Sequence, residues 1–194
     1  MALILASASP IRAHMLDAAG VVCQVQPADI DEAATKAADK SDASKLAAEL
    51  AAAKAIAVSA SRPGDWVIGS DSLVSVGGRI FDKPLDRGEA AEHLRIFSGQ
   101  PMILTSAATL ARDGKIDWRH VQSATLYVRK LSDAFIESYL NAEWPEVGNC
   151  VGVFRMEGRG VQLFERIDGD HFTILGMPLL PLLGALRARG LMTS

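Results

Sequence analysis

The chain has 194 residues, of which 49% are hydrophobic and 22% are charged, and its formal net charge is −3. This composition excludes a disordered or fibrous protein and provides enough chain to bury the core of one domain or of two closely packed lobes. The acidic balance argues against a general nucleic-acid binder, so a site for an anion must be a local one.

The cysteine count and the first residues indicate a cytoplasmic protein. Cys23 and Cys150 are too few for a disulfide framework, which favours a reducing compartment. The opening Met-Ala-Leu-Ile-Leu-Ala has no basic stretch, and no apolar run has the length of a signal or of a membrane span. We therefore expect a cytoplasmic chain with neither a membrane nor a nucleic acid as its partner.

The first half of the chain alternates between strand and helix patterns. Ser9 is a suitable N-cap and Pro10 fits the first turn of a helix, while the acidic cluster Asp29, Asp31 and Glu32 falls in a polar stretch. In chain order we predict a strand over 3–6, a helix over 10–19, a strand over 21–25, an irregular stretch over 27–42, an alanine-rich helix over 43–60 and a buried strand over 66–69.

The second half contains hairpin signals among its helices. Gly77-Gly78 is typical of a two-residue hairpin turn, Asp86 and Glu89 form a capping box, and Ser132 fits a helix N-cap. We predict strands over 73–76 and 79–81, a helix over 86–98, strands over 102–111 and 122–130, a helix over 132–143, a hairpin of strands over 161–167 and 172–175, and a last helix over 178–190. The alternation indicates an α/β fold with a mixed, twisted sheet flanked by helices.

Ser7, Ser9 and Arg12 follow the first strand in a pattern typical of phosphate binding. Free backbone N–H groups and the dipole at a helix N-terminus attract an anion, and the two serine hydroxyls can add donors. Arg12 can hold a phosphate through two parallel hydrogen bonds. The alternative is an ordinary capped helix that carries a solvated arginine.

Two further charged residues, Lys54 and Asp71, lie next to apolar stretches of the sequence. Lys54 lies on the flank of the apolar stripe of the 43–60 helix, from which its ammonium either snorkels to water or points into a cleft. Asp71 follows the strand over 66–69, and ligand sites of α/β sheets collect at the carboxyl ends of strands. Asp71 is therefore a candidate metal ligand or base, with an ordinary turn aspartate as the alternative.

Lys83 and Glu157 lie in loops whose backbone has special properties. Pro84 favours an extended backbone at Lys83 and so fixes the direction of the lysine side chain. Glu157 lies in Arg155-Met156-Glu157-Gly158-Arg159-Gly160, where glycines let the backbone pass close to a ligand and the carboxylate can accept two hydrogen bonds from a base edge. The alternatives are an ordinary loop lysine and a charged surface turn.

These signals together indicate a site for a nucleoside triphosphate and a metal ion. They combine anion-binding cations, an acid after a strand and a glycine-rich loop with a carboxylate. The sequence has no histidine and cysteine set at zinc-ligand spacing, no Ser-His-Asp arrangement and no nucleophile elbow. Acidic oxygen ligands favour Mg²⁺ or Mn²⁺ over zinc.

Five stretches of the chain occur in the order of one known family's motifs. The chain has LILASASPIR where that family has S-x-S-P-R-R, AAAKA at its helix lysine, and IGSDSLV at its strand-end aspartate. The later stretches are DKPLDRGEAAEHLRIFSGQ and GVFRMEGRGVQLFERIDGDHFTILGMPL. Over nearly its whole length the chain thus resembles the Maf family of nucleoside triphosphate pyrophosphatases.

This resemblance implies a single domain over 1–194, with the elongated, two-lobed fold of inosine-triphosphate pyrophosphatases and a cleft between the lobes. It also implies hydrolysis of a nucleoside triphosphate to the monophosphate and pyrophosphate with Mg²⁺ or Mn²⁺, in a homodimer. The expected catalytic residues are Asp71, Lys83 and Lys54. The expected metal ligands are Asp71 and Glu32. The expected substrate-binding residues are Ser7, Ser9, Arg12, Ile11, Ser72 and Glu157.

The chain departs from the family motifs at five positions. The family has arginine or tryptophan at Ile11, a second arginine at Ala13, and threonine or glutamine at Ser72. Asp82 stands where the family has a glycine, and Val153 where it has a small residue. Loss of an arginine and gain of an acid are expected to weaken triphosphate binding, whereas Ile11 and Ser72 line the expected base pocket.

Glu157 resembles the family members that act on 7-methyl-GTP, while the pyrimidine-preferring members resemble a glutamine at this place. A carboxylate only accepts hydrogen bonds, and guanine offers two neighbouring donors on its Watson–Crick edge. Uracil and thymine offer one donor between two carbonyls, which would face the lone pairs of the carboxylate. We therefore expect a preference for guanine-type or methylated-purine triphosphates, as in house-cleaning of non-standard nucleotides.

Two other functions fit the same residues. A non-catalytic nucleotide-binding regulator of cell division would bind nucleotide without releasing pyrophosphate, and the family's name comes from a septum-formation phenotype. A nucleotidyl or sugar-phosphate transferase would need a second acceptor pocket, for which the sequence has no feature. A screen for pyrophosphate release separates the hydrolase from the regulator.

Overall fold

The structure is a computed structural model that describes residues 1–33, 35 and 42–193. The described strands are β1 (Leu3–Leu5), β2 (Gln24–Val25), β3 (Trp66–Val76), β4 (Arg79–Phe81), β5 (Pro101–Arg112), β6 (Lys115–Val128) and β7 (Phe164–Asp168). The helices whose bounds are fully described are α1 (Pro10–Ala18), α2 (Ala43–Ala60), α3 (Arg87–Phe97), α4 (Asp133–Glu143), α5 (His171–Ile174) and α6 (Leu179–Ala188). Two 3-10 turns span Glu146–Asn149 and Arg159–Leu163. Of the helices in the described ranges, none combines the length and hydropathy needed to span a bilayer.

The described strands form one mixed sheet, in the order β2-β1-β3-β5-β6-β7, with β4 paired to β3. β1 runs parallel to β2 and β3, whereas β4 and β7 run antiparallel to β3 and β6. Strands and helices alternate along the chain and helices pack on both faces of β1. The predicted α/β fold with a mixed sheet flanked by helices is therefore confirmed.

The chain divides into two compact units. Unit 1 comprises Met1–Ser72, Thr105–Ser123 and Asp170–Ser194, and unit 2 comprises Leu73–Leu104 and Ala124–Gly169. Unit 1 therefore contains β1, β2, α1, α2, α5 and α6, whereas unit 2 contains β4, α3, α4 and β7. The long strands β3, β5 and β6 contribute residues to both units.

The helices of unit 1 cover opposite faces of β1. On one face, α1 and α6 pack with the side chains of Leu5 and Ile68. On the other face, α2 packs with the side chains of Ile4 and Val67. The chain thus leaves β1 through α1 to reach β2 on one side, and later passes through α2 to reach β3 on the other side. This reversal makes the carboxyl end of β1 a topological switch point, where ligand sites of open α/β sheets form.

Gly69 lets α2 pack directly onto β3. A Cβ atom at this position would lie 2.1 Å from the carbonyl oxygen of Ala51 and 2.8 Å from the Cβ of Ala55, both buried residues of α2. Side chains alternate along a strand, so Asp71 lies on the same face of β3 as Gly69. The close approach of helix and strand therefore brings Lys54, on the same helix, next to Asp71.

Unit 2 has an aromatic core beneath a hairpin. β3 and β4 pair on either side of Gly77-Gly78, so the predicted hairpin is confirmed. Phe81 packs edge-on against His93 and Phe97 of α3, with centroid distances of 5.2 and 4.8 Å. Burial lowers the pKa of His93, which favours the neutral imidazole in this core.

Most of the predicted helices are confirmed, and their N-caps explain where three of them begin. Asp42 accepts hydrogen bonds from the backbone N–H groups of Ser44 and Lys45, and α2 has the predicted bounds. Asp86 and Ser132 cap α3 and α4 in the same way. Helix α1 ends one residue before the predicted end. Of the irregular stretch predicted over 27–42, positions 34 and 36–41 lie outside the described residues.

Several predicted strands are wrong. The strand over 21–25 shortens to β2, the strands over 66–69 and 73–76 are one continuous β3, and the strand over 122–130 starts earlier as β6. The predicted hairpin of 161–167 with 172–175 does not form, because β7 pairs with β6 instead. Residues 171–174 form α5, since the Asp170 carboxylate accepts from the backbone N–H of Thr173 and starts a helical turn.

The contact at Gly69 predicts a strong effect of one added methyl group. We expect Gly69→Ala to lower the free energy of unfolding by about 2–3 kcal/mol, because neither β3 nor the backbone of α2 can move cheaply. Gly184→Ala is the matched control: it lies inside α6 with open space around its Cβ, so it should raise stability by about 0.5–1 kcal/mol. Thermal unfolding of both variants checks this, and equal melting temperatures would contradict it.

Candidate active site

Lys54 lies between two carboxylates in unit 1. Its Nζ donates to Asp71 Oδ1 at 2.5 Å and lies 2.7 Å from Glu32 Oε1. The side chains of Lys54 and Asp71 are only 11% and 10% exposed, whereas that of Glu32 is 42% exposed. The ammonium therefore faces protein carboxylates instead of snorkelling to water, and the two carboxylates are brought together by their shared cation.

Asp71 lies inside β3, not after a strand end as the sequence predicted. The apolar run over 66–69 and that over 73–76 belong to the same strand, so Asp71 is an interior residue of it. The neighbouring β1 ends at Leu5, which is level with Ile68. Asp71 therefore lies three residues beyond the end of β1, at the switch point. The predicted region is right for a different reason, because the strand that ends there is β1.

Arg12 donates four hydrogen bonds to oxygen atoms of unit 1. Its Nε binds the carbonyl of Gly176 at 2.8 Å, and its Nη1 binds the hydroxyl of Ser7 at 3.1 Å and the carbonyl of Ser70 at 3.0 Å. Its Nη2 binds the hydroxyl of Ser72 at 2.9 Å. A guanidinium has five N–H groups, so a two-bond grip on a phosphate must replace at least one of these contacts.

The charge of Arg12 lies within electrostatic range of the Lys54 cluster. Burial lowers the pKa of the Arg12 guanidinium, and the negative charges of Asp71 and Glu32 act in the opposite direction. Two cations and two carboxylates thus share the carboxyl end of β1. An incoming polyanion would meet both cations there.

The hydroxyl of Ser72 contacts three protein groups. It donates to the carbonyl of Gly176 at 2.9 Å and pairs with the hydroxyl of Ser106 at 2.8 Å, in addition to its contact with Arg12. Ser106 is fully buried and donates to the carbonyl of Thr173 at 2.8 Å. Ser72 therefore ties Arg12 to the backbone at 173–176, and its predicted place in a base pocket stays a prediction.

Gly176 and Ser106 are site residues that the sequence analysis missed. Gly176 contributes its carbonyl oxygen, which accepts from Arg12, Ser72 and Ser70. A backbone oxygen leaves no signature in residue type. The sequence signal was the glycine itself, because a φ of +109° strains any other residue, and a Cβ atom there would lie 3.3 Å from Oγ of Ser72.

Ser7, Ser9 and the first turn of α1 meet at the same end of β1. Ser7 is buried, and its hydroxyl accepts from the backbone N–H of Ser9 at 3.2 Å and from Arg12. Ser9 occupies the N-cap position with an extended backbone, and within the described chain its hydroxyl makes no capping hydrogen bond. The first N–H groups of a helix have no intrahelical acceptor, so those of α1 remain suited to an anion.

Lys83 and Glu157 belong to unit 2, and both side chains are exposed. Their charges act on the half-buried Cys150: burial and Glu157 raise the pKa of this thiol, while Arg155 and Lys83 lower it. The two predicted residues therefore share one neighbourhood within unit 2. Their predicted roles in phosphate and base binding stay predictions.

The departures from the family motifs have structural correlates. Ala13 packs against the apolar core of α1 and α6, and Ile11 is half-buried in the first turn of α1. Asp82 is exposed immediately before Lys83. Val153 is fully buried and has a φ of +57°, a conformation that is costly for a β-branched residue and easier for a smaller one.

Glu32 and Asp71 are the carboxylates placed to hold a cation. In residues 1–33, 35 and 42–193, no group of three or more His, Cys, Asp or Glu side chains is arranged to bind a metal ion. Two carboxylates are nevertheless a usual protein contribution to a Mg²⁺ site, where substrate phosphates and water supply the other ligands. The donor set therefore fits Mg²⁺ or Mn²⁺ that arrives with a phosphate ligand.

The fold and the site define a class of protein: an α/β protein whose cations and paired carboxylates meet at a topological switch point, an arrangement suited to phosphate ligands. The family model for Maf-like protein matches residues 2–189, and the chain belongs to this family.

Curated relatives match over almost their full lengths. A 7-methyl-GTP pyrophosphatase from Rhizobium etli is 48% identical over 97% of this chain and 96% of its own. A nucleoside triphosphate pyrophosphatase from Nitrobacter hamburgensis is 45% identical over 98% and 95%, and another from Sphingopyxis alaskensis is 46% identical over 98% of both chains. A crystal structure of a nucleoside-triphosphatase / dITP/XTP pyrophosphatase from Mycobacterium abscessus is similar with a TM-score of 0.42 and 12% identity, over 98% of this chain and 96% of that one.

The hydrogen bonds of Ser106 predict that it stabilises the site. We expect Ser106→Ala to lower the free energy of unfolding by about 1–3 kcal/mol, because it leaves the buried carbonyl of Thr173 without this donor. Ser61→Ala is the control, since its hydroxyl also donates to a carbonyl but is exposed, so that water replaces it at a cost under about 0.5 kcal/mol. Chemical denaturation measures both, and equal losses would contradict the assignment.

Proposed function

We propose that the protein is a nucleoside triphosphate pyrophosphatase, which hydrolyses its substrate to the nucleoside monophosphate and pyrophosphate. The observation that carries this proposal is the Lys54 ammonium between Asp71 and Glu32 at the carboxyl end of β1, with Arg12 within electrostatic range. Support also comes from full-length relatives, 45–48% identical, that are named as pyrophosphatases of nucleoside triphosphates or of 7-methyl-GTP.

Binding of the triphosphate uses the groups that converge at the switch point. The first N–H groups of α1 and the ammonium of Lys54 offer donors to phosphate oxygens, and Arg12 adds positive charge. Phosphate oxygens compete with Asp71 and Glu32 for Lys54, so binding releases the carboxylates from their cation. Lys83 keeps its predicted role in phosphate binding.

The chemical step is attack of water on the α-phosphorus. The new bond joins the water oxygen to the α-phosphorus, the bond from that phosphorus to the bridging oxygen breaks, and pyrophosphate leaves in line. Asp71 accepts the proton of the attacking water and passes it to solvent. Fixed positive charge around the phosphates stabilises the transition state, so positioning and electrostatics supply most of the rate enhancement.

A divalent cation, Mg²⁺ or Mn²⁺, is proposed as the cofactor. Asp71 and Glu32 would hold it, because they are the paired oxygen donors at the phosphates and are too few to form a site without the substrate. When bound, the ion neutralises phosphate charge and lowers the pKa of water. The homodimer implied by the family resemblance remains a prediction, as does the cytoplasmic location indicated by the cysteine count and the first residues.

Glu157 is proposed to read the base. Its exposed carboxylate accepts two hydrogen bonds from guanine, while uracil and thymine offer only one donor between two acceptors. We therefore propose guanine-type or methylated-purine triphosphates as preferred substrates. The relatives named 7-methyl-GTP pyrophosphatase support this choice.

The first test is pyrophosphate release and its dependence on Asp71. We expect the parent protein with Mg²⁺ or Mn²⁺ to release pyrophosphate from GTP or 7-methyl-GTP. Asp71→Asn keeps the shape but removes the negative charge, so kcat should fall by a factor of about 100 to 1,000. Asp17→Asn, at an exposed position of α1, should keep the parent rate. Nucleotide binding by the parent without pyrophosphate release would instead support the regulatory alternative.

Base selectivity gives the second test. We expect Glu157→Gln to lower the ratio of kcat/KM for GTP to that for UTP by roughly tenfold, because an amide cannot accept both guanine hydrogen bonds and can donate to uracil. Glu165→Gln, an exposed glutamate of β7, should leave the ratio unchanged. If Glu157→Gln also leaves the ratio unchanged, Glu157 does not read the base.

A further inference from the structure

Helix α4 faces the segment that carries Glu157 with two buried polar side chains, one helical turn apart. Tyr139 and Glu143 are 3% and 7% exposed, and both bind residues of the segment 153–159. We propose that Tyr139 and Glu143 are positioning residues that hold this segment so that Glu157 meets the base at a fixed place. The proposal rests on the proposed function, in which Glu157 reads the base.

Glu143 holds the chain on both sides of Glu157. One carboxylate oxygen accepts from the backbone N–H of Arg159 at 3.3 Å, and the other accepts from Nη2 of Arg155 at 3.5 Å. These two residues lie two positions after and two positions before Glu157. The buried carboxylate accepts hydrogen bonds from residues on both sides of the exposed Glu157, and these contacts fix where Glu157 lies.

Gly158 allows Glu143 to approach the backbone of the segment. A Cβ atom at Gly158 would lie 2.9 Å from Oε2 of Glu143, so any side chain there would push the carboxylate away. The backbone N–H of Gly158 donates to the carbonyl of Arg155 at 3.2 Å and closes a turn. Glu157 lies within that turn, and Glu143 binds the first residue of the turn, Arg155, and the residue that follows the turn, Arg159.

Tyr139 fixes the start of the segment. Its hydroxyl donates to the carbonyl of Val153 at 3.0 Å, and burial raises the pKa of the phenol, so that it keeps the proton it donates. Val153 has a φ of +57°, which a β-branched residue adopts only where its surroundings impose it. The hydrogen bond from Tyr139, together with complete burial of the Val153 side chain, supplies that constraint.

The geometry favours a positioning role over simple core packing. An apolar residue would fill either place without the cost of burying a polar group. Within the part of the chain that the structure describes, the side-chain hydrogen bonds of Tyr139 and Glu143 go to residues 153–159. Two parallel hydrogen bonds to a base depend steeply on placement, so loss of either anchor should weaken base discrimination.

The first experiment measures the segment without using activity. Arg155 and Arg159 are trypsin sites on either side of Glu157, so cleavage there, mapped by mass spectrometry under native conditions, reports opening of the segment. Tyr139→Phe and Glu143→Ala should speed this cleavage by at least about threefold, since proteolysis follows the population of the open form. Glu143→Gln keeps one of the two acceptor oxygens, so its cleavage rate should lie between those of the parent and of Glu143→Ala.

Matched controls separate the segment from general loosening of unit 2. Glu137→Gln removes an exposed carboxylate of the same helix, which pairs with Arg87, and should cleave at the parent rate. Tyr127→Phe alters the other tyrosine of the chain, on β6, and should do the same. If Glu143→Ala does not fold, the isosteric Tyr139→Phe still decides the question.

The second experiment asks whether the two residues act through Glu157. The ratio of kcat/KM for GTP to that for UTP is measured for Tyr139→Phe and Glu143→Ala in the parent and in a Glu157→Ala background. In the parent we expect the ratio to fall by about fivefold for each variant, which is the size expected for loss of one ordinary hydrogen bond. In the Glu157→Ala background neither variant should change the ratio further.

The outcomes separate this inference from the proposed function. Cleavage at the parent rate in both variants overturns the inference whatever the activity shows. Faster cleavage with an unchanged GTP-to-UTP ratio also overturns it, because the segment is then ordered by α4 without affecting base choice. A parent protein that releases no pyrophosphate from any triphosphate overturns the proposed function and the selectivity role with it, while the cleavage rates still show whether the pair holds the segment.

Discussion

The absence of a side chain at Gly69 determines where the charged residues of unit 1 lie. Because the backbone of α2 rests directly on β3 there, the side chain of Lys54 reaches the carboxylate of Asp71. A longer separation would let the lysine snorkel to water, as lysines on apolar helix faces usually do. The alanines of α2 serve the same end, since Ala51 and Ala55 keep the contact surface flat. Packing, and not an attraction between charges alone, therefore brings the cation and the carboxylate together.

Positive charge at the switch point is stabilised before any ligand binds. Burying an isolated cation is costly, and the structure offsets this cost differently for its two cations. Lys54 is neutralised by carboxylates, which a phosphate can replace one for one. Arg12 is held by carbonyl and hydroxyl oxygens, which carry no net charge, so its positive charge remains available over a distance even though four of its N–H groups are engaged. One cation is thus suited to exchange partners and the other to set the potential of the site.

Sequence patterns predicted the parts of this structure that depend on local signals. The caps at Asp86 and Ser132 predicted two helices, and the Gly77-Gly78 turn predicted a hairpin, because each signal acts within a few residues. The continuous β3 was missed because the polar residues Ser70 to Ser72 interrupt its apolar pattern. These three residues are polar because they make contacts of the candidate site. The partners of Arg12 were missed because two of them are backbone carbonyls from distant parts of the chain. Site residues could be proposed by type, but their contacts depend on topology that no short motif records.

In the proposed function, the groups that bind phosphate at the switch point belong to unit 1, and the carboxylate that reads the base belongs to unit 2. This division affects how base specificity can change. Lys54, Asp71 and Arg12 are placed by strand order and by helix packing, which a single substitution in unit 2 leaves intact. Glu157 is placed by a turn whose anchors are a few hydrogen bonds, so one residue can alter it. In the proposed function, changes at 153–159 or on the facing side of α4 would alter the base preference without replacing Lys54, Asp71 or Arg12. The strained backbone at Val153 lies in the part of the protein where such changes act.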